Sequence, residues 1–276
     1  MKRFKVVSNL LLLLLVVCSM SCTRAKEQSL VILHTNDTHS QVEPLEEGKR
    51  DAYCAGYARR MGVLARERRN NPALLLVDAG DFCQGTPYFN FYHGRVEVEA
   101  MNRMGYDVIT LGNHEFDYGV DTLAAMLSDA QFEVVCANYD VANSALEGIV
   151  KPYTIIRKDG LRIGVFGLGV NPKSLIAERN FYPLQYLDPV ESAQKTADLL
   201  KQKRCDVVIC LSHQGTHSGD IDLAKSTRNI DVIIGGHTHK IVENLMVENI
   251  DGDTVLLAQS GKSGARIGKI TLQINK

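Results

Sequence analysis

Short apolar runs recur along the chain, and several of them end in a carboxylate or an imidazole. Residues 29–34, 74–77, 107–110, 132–136, 205–211 and 231–234 are rich in Val, Leu and Ile and too short for helices, so they read as buried strands. Residues 55–69, 95–104 and 189–203 carry apolar positions at helical spacing instead. In the first helix, Tyr57, Met61, Leu64 and Ala65 are expected towards the core and Arg59, Arg60, Arg66, Glu67 and Arg68 outwards, with Asn70-Asn71-Pro72 as the stop. Asp188-Pro189 offers a cap and a first-turn proline to the third, and Asp121 a cap to a further helix over 121–129. Lys158-Asp159-Gly160 between the runs 153–157 and 161–166 is a hairpin signal that interrupts the alternating βα order. Strands at 241–247, 255–259 and 266–274, joined partly by Asp251-Gly252, close a β-rich C-terminal part. The pattern predicts an α/β domain built on mixed sheets.

Composition adds limits. A chain of 276 residues, 45% hydrophobic and 23% charged, is one large globular domain with a substantial core. The formal net charge of −1 and the scattered Lys and Arg residues give no surface for a nucleic-acid polymer.

The N-terminus reads as a targeting segment. Lys2, Arg3 and Lys5 precede an uninterrupted apolar run over 10–17 and then small residues around Ser21-Cys22. That run falls short of the roughly 20 apolar residues of a membrane-spanning helix. The expected organisation is a signal peptide over 1–21, a short tether over 22–28 and one domain over 29–276. Ser21-Cys22 resembles the cleavage box of bacterial lipoproteins, although Ser19 stands where that box usually has Leu. The resemblance implies a lipid on Cys22, export to the periplasm or cell envelope, and contact with a membrane only through that anchor. Cys54, Cys83, Cys136, Cys205 and Cys210 then remain, an odd number without CxxC spacing, which supports neither a disulfide framework nor a zinc knuckle. Cys136, Cys205 and Cys210 read as small buried hydrophobes, and Cys83 either as a neighbour that supports the acidic turn beside it or as incidental to it.

The chemistry sits where strands end. Asp37 and His39 follow the first strand, and their i, i+2 spacing lets both point the same way from extended chain. Asp81 follows the second, after a Gly80 that permits a sharp turn. Gly112-Asn113-His114-Glu115-Phe116-Asp117 follows the third: the Asn113 carbonyl binds a cation without adding charge, His114 reaches a substrate oxygen, and Asp117 holds the imidazole. His213 ends a β-branched strand, and Gly235-Gly236-His237-Thr238-His239 ends another. His217 lies nearby but outside the pattern, in a segment leading into a helix expected over 220–226, and is expected to be exposed, while His34 and His93 carry no partner signal. Seven oxygen or nitrogen ligands (Asp37, His39, Asp81, Asn113, His213, His237 and His239) exceed what one ion needs. Two ions about 3.5–4 Å apart sharing one carboxylate use them all.

These five motifs, in this order, resemble the calcineurin-like metallophosphatase superfamily. Ile32-Leu33-His34-Thr35-Asn36-Asp37-Thr38-His39, Gly112-Asn113-His114-Glu115-Phe116-Asp117 and Ile234-Gly235-Gly236-His237-Thr238-His239 are similar to its periplasmic 5′-nucleotidase and UDP-sugar hydrolase branch. The resemblance implies a sandwich of two mixed β-sheets flanked by α-helices, in four αββα layers. It implies Asp37, His39 and His239 on one metal, Asn113, His213 and His237 on the other, Asp81 between them, and His114 with Asp117 as the catalytic pair. Mixed carboxylate, amide and imidazole ligation suits Mn, Fe, Co or Zn. The expected activity is hydrolysis of nucleotide phosphomonoesters by metal-activated water. A UDP-sugar or 2′,3′-cyclic-nucleotide phosphodiesterase, and a metal-dependent binding subunit without turnover, are the alternatives. The branch holds its nucleoside with a separate C-terminal domain, and this sequence stops at Lys276 before one. A separate polypeptide docking over the metal face, or loose specificity for small phosphoesters, is therefore expected.

Overall fold

The computed structural model describes residues 27–48 and 50–275. The expected leader, Cys22 and most of the tether lie outside the described residues. The chain runs β1 (Glu27–Thr35), α1 (Tyr57–Asn70), β2 (Leu75–Asp78), α2 (Pro87–Tyr92), α3 (Arg95–Met104), β3 (Val108–Ile109), α4 (Gly119–Leu127), β4 (Glu133–Val135), β5 (Tyr139–Asp140) and β6 (Val150–Lys151). It continues through β7 (Tyr153–Lys158), β8 (Leu161–Leu168), α5 (Glu178–Phe181), β9 (Gln185–Tyr186), α6 (Pro189–Gln202), β10 (Val207–Ser212), α7 (Asp222–Ser226), β11 (Val232–Gly235), β12 (Ile241–Glu248), β13 (Thr254–Ser260) and β14 (Gly268–Asn275).

Two six-stranded sheets, ordered β14-β1-β2-β3-β4-β6 and β12-β13-β11-β10-β8-β7, face each other. Each mixes a parallel centre with antiparallel strands at the margin, as the hairpin signal required: β7 and β8 pair antiparallel across Asp159-Gly160. The strands obey the two-residue period of a sheet buried on both faces. Val207, Ile209 and Leu211 of β10 point into the layer between the sheets with Leu30, Ile32, Leu75, Val77, Ile163 and Val165. Val208 and Cys210 point the other way, against Ala193, Ala197 and Leu200 of α6. Leu33, Leu76 and Ile109 pack outwards onto α1, α3 and α4. The result is the four-layer αββα sandwich. Cys136, Cys205 and Cys210 are buried among apolar side chains, and Cys54 is exposed. Among the described residues no helix is long and apolar enough to cross a membrane.

Three local expectations are corrected. In α1 the buried residues are Tyr57, Arg60 and Leu64, whereas Met61 and Ala65 are exposed. The helix starts at Tyr57, so its inward face runs through i, i+3 and i+7, and Arg60 fits because it lies against Gly264, where any side chain would collide with the guanidinium. Asp121 does not cap α4; Tyr118 occupies that position and Asp121 sits exposed in the first turn, favoured there by the helix dipole. The helix expected over 220–226 is a π-helical turn, Thr216–Ile221, followed by α7, which leaves Asp220 fully buried.

The cap on α6 forms as expected, with the Asp188 carboxylate accepting from the Glu191 N–H at 2.9 Å. Asp188→Ala should therefore cost about 1 kcal/mol, read as a lower urea midpoint with unchanged slope. An unmoved midpoint would mean that water replaces the cap without loss.

Candidate metal centre

The parallel centres of both sheets send their C-terminal strand ends to one edge of the sandwich, where ligands commonly sit in open α/β sheets. Thr35 of β1 is in register with Asp78 of β2, and Ser212 of β10 with Gly235 of β11. The loops beyond are bound to one another by backbone: Asp37 N–H donates to Gly80 at 2.8 Å, His39 N–H to Asp81 at 3.0 Å, and Ser263 N–H to Asp37 at 2.7 Å. Asp37, His39, Asp81, His237 and His239 all have left-handed φ, between 46° and 70°. Each such non-glycine residue costs of order 1 kcal/mol or more, and such strain collects at functional sites. Two glycines allow the approach of one loop to the next. A Cβ at Gly112 would collide with Asp81 Oδ1, and one at Gly236 would lie 2.7 Å from His213 Nδ1.

Six of the seven expected ligands bring their donor atoms together at this edge, and Asn113 lies between Gly112, which is packed against Asp81, and His114, whose N–H meets that carboxylate. Ligand atoms of Asp37, His39 and His239 lie within 4.8 Å of one another, as do those of Asp81, His213 and His237. His39, Asp81 and His114 form a third such group, so Asp81 touches both sides of the centre. His39 Nε2 is 2.9 Å from His239 Nε2, which is 3.3 Å from Asp37 Oδ1. His213 Nε2 is 3.0 Å from Asp81 Oδ2 and 3.9 Å from Asp37 Oδ1. His114 Nδ1 meets Asp117 Oδ2 at 3.1 Å, and its backbone N–H donates to Asp81 Oδ1 at 2.9 Å. Of the remaining imidazoles, His217 is exposed as expected, and His93 stacks on Tyr118 at 4.2 Å. His34 is buried away from the centre, and burial lowers its pKa to about 4.

Protonation reflects the crowding of donors. Burial disfavours the imidazolium of His213, but the Asp81 carboxylate outweighs it and pushes the ring up to about 10. Burial also opposes ionisation of Asp81, and His213 holds it well below the usual carboxylate range. Burial lowers His39 against the pull of Asp81 and Asp37, and it lowers His237 together with the charge of His213. At His114 burial acts downward, yet Asp117 and then Asp81 raise the ring overall.

The donor set fits divalent metal. His213 Nδ1 donates to the Ala79 carbonyl at 2.7 Å, which leaves Nε2 a bare lone pair in the neutral ring. That atom is buried without a hydrogen-bond partner, and so is Asn113 Oδ1. Facing a carboxylate at 3.0 Å, the ring must take up either a proton or a metal cation. Oxygen and imidazole donors without a thiolate suit Mn, Fe, Co or Zn.

Four residues outside the expected set hold it in place. Glu115 is buried and accepts from the N–H groups of Asp81 at 3.0 Å, Gly112 at 2.6 Å and Cys83 at 3.1 Å, fastening two ligand loops together. Burial, followed by the charge of Asp81, pushes this carboxyl up to about 7. Asn36 donates to Asp37 Oδ2 at 2.6 Å and accepts from Ser260 N–H at 2.8 Å. Gln259 accepts from Thr238 at 3.0 Å and Lys240 at 2.6 Å, and donates to the Gly236 carbonyl at 2.5 Å. Asp220 accepts from Ser212 at 2.5 Å directly behind His213, and burial raises it to about 7. Glu115 and Asn36 lie inside the motifs, a signal available from the start; nothing in the sequence marks Gln259 or Asp220.

Residues 30–241 match the calcineurin-like phosphoesterase family. Snake venom 5′-nucleotidase of Gloydius brevicauda is 34% identical over 92% of this chain and 47% of its own length. The 5′-nucleotidase precursor of Thermus thermophilus superposes with a TM-score of 0.81 at 34% identity, covering 89% of this chain and 51% of that one. The NAD nucleotidase of Haemophilus influenzae superposes at 0.82 with 29% identity, covering 91% and 48%. The chain thus spans about half the length of these relatives.

Glu115→Gln keeps the volume but turns one acceptor into a donor facing a backbone N–H. It should cost about 1–3 kcal/mol by denaturation of the metal-free protein, and weaken metal binding about 10–100-fold by titration. Wild-type values for both would remove Glu115 from the support of the centre.

Proposed function

The chain belongs to the calcineurin-like phosphoesterase family, and we propose that it is a two-metal phosphoric ester hydrolase of 5′-nucleotidase type, releasing phosphate from nucleotides by attack of water. The observation that carries this reading is the convergence of Asp37, His39, Asp81, His213, His237 and His239 in interlocking groups beside a His114–Asp117 pair. We assign Asp37, His39 and His239 to one cation, Asn113, His213 and His237 to the other, and Asp81 to both. Two divalent cations in this set supply Lewis-acid stabilisation of the phosphoryl oxygens and a more acidic water.

The chain's own groups do the rest. The His114 ring is committed through Nδ1 to Asp117, so Nε2 is the nitrogen left for substrate. Burial disfavours the imidazolium, but Asp117 and then Asp81 outweigh it and favour the protonated ring, which hydrogen-bonds a phosphoryl oxygen and gives a proton to the leaving alkoxide. Asp117 fixes the ring, and the Asn180 side chain in turn donates to the Asp117 carbonyl at 2.8 Å. Glu115 and Asn36 keep the acidic ligands from turning away.

The nucleotide preference rests on the relatives, about half of whose length lies outside the matched region. We place the nucleoside contacts in polypeptide beyond the described residues, a partner docking over the metal face being one source. Export and a lipid on Cys22 are proposed on the leader sequence alone.

Metal-loaded protein should hydrolyse AMP in a panel that includes UDP-glucose, 2′,3′-cyclic AMP and bis-p-nitrophenyl phosphate. His114→Ala should lose about 10²–10⁴-fold in kcat with its metal content retained. Asp117→Asn removes an interaction that raises His114, so the basic limb of the pH–rate profile should move to lower pH. No turnover of any ester, or a His114→Ala protein as fast as wild type, would defeat the proposal; preference for a diester would redirect it to a phosphodiesterase.

A further inference from the structure

A pocket of about 370 Å³ opens directly beside the candidate metal centre, with His239 in its wall together with Gln41, Arg50, Asp51, Lys262 and Arg266. Three cations and one carboxylate line it, and the carboxylate is already engaged: Asp51 takes Arg266 in a two-pronged pair at 2.8 and 3.1 Å. That pair holds Asp51 below the usual carboxylate range and fixes the guanidinium plane. Arg50 and Lys262 make no salt bridge among the described residues, and both are exposed at the mouth.

The wall that carries Lys262 is not a free loop. Asn36 donates to the Gly261 carbonyl at 2.8 Å, Gly261 N–H donates to Lys240 at 2.9 Å, and Ser263 N–H donates to Asp37 at 2.7 Å. The cationic pocket is thereby registered to Asp37 and His239, both in the first of the proposed metal groups. Its volume lies at the lower end of the roughly 300–1,000 Å³ usual for small-molecule sites. Surplus positive charge beside a phosphate-handling centre selects a second anion.

We propose that this pocket receives a second phosphate of the substrate, so that the centre prefers substrates in which another phosphoryl group adjoins the one being cleaved, as in a nucleoside diphosphate, where water attacks the terminal phosphorus, the P–O–P bond breaks and the nucleoside monophosphate leaves and takes the proton. The inference rests on the hydrolase reading above and narrows its substrate class. Arg50 and Lys262 bind the extra anion, while Arg266, held by Asp51, sets the pocket's shape and field.

The test compares wild type with Arg50→Ala/Lys262→Ala in two arms. In the first, KM for AMP and for ADP is measured on metal-loaded protein at low and high salt. The wild type should favour ADP, the preference should shrink about 3–10-fold in the variant, and salt should weaken it in the wild type. In the second, calorimetry measures methylphosphonate and methylenediphosphonate binding, which needs no turnover; the diphosphonate advantage should fall by a similar factor. Equal ratios for the two proteins in either arm overturn the pocket assignment. A protein that turns over neither nucleotide but loses its diphosphonate advantage on mutation keeps the pocket and rejects the hydrolase, so the two failures are separable.

Discussion

Buried lone pairs cannot face one another unless positive charge lies between them, and this constraint organises the whole edge of the sandwich. Asp37 is fully buried, Asp81 almost so, and the ring nitrogens of His39, His213 and His239 point into the same space. Protons can supply part of that charge: burial opposes the imidazolium of His213, but the Asp81 carboxylate favours it. A proton, however, satisfies one donor pair, whereas a divalent cation satisfies several at once. The left-handed backbone at five of the seven proposed ligands is the conformational cost of aiming them inward. The network of Glu115, Asn36, Gln259 and Asp220 keeps that arrangement from relaxing.

The fold serves this edge simply. Parallel strands in each sheet deliver their C-terminal ends to one side, and the apolar layer between the sheets fixes their separation. Five loops from distant parts of the sequence then meet with little freedom. Gly112 and Gly236 are needed because the loops approach more closely than a Cβ permits.

Most of this architecture was legible in the chain. Strand runs such as 205–211 are marked by a β-branched centre, Val207-Val208-Ile209, and their polar ends announce a site because loops at the ends of buried strands commonly carry function. The Asp188 cap and the Asp159-Gly160 turn were readable because their signals are local. What escaped depends on contacts distant in sequence. Arg60 is buried because Gly264 makes room for it, Asp220 because a π-helical turn rotates it behind His213, and Gln259 acts across two loops. Glu115 was in plain view, but an acidic residue between two catalytic candidates reads as another ligand or as solvent-facing until its three N–H donors are seen. Its role is to join loops, and no periodicity encodes that.

The central claim, that five strand ends enclose two cations around one shared carboxylate, is tested most directly by anomalous scattering from crystals of the metal-loaded protein. The account predicts two peaks per chain about 3.5–4 Å apart, with an Asp81 oxygen within bonding distance of both. A single peak, or two peaks without Asp81 between them, would contradict it.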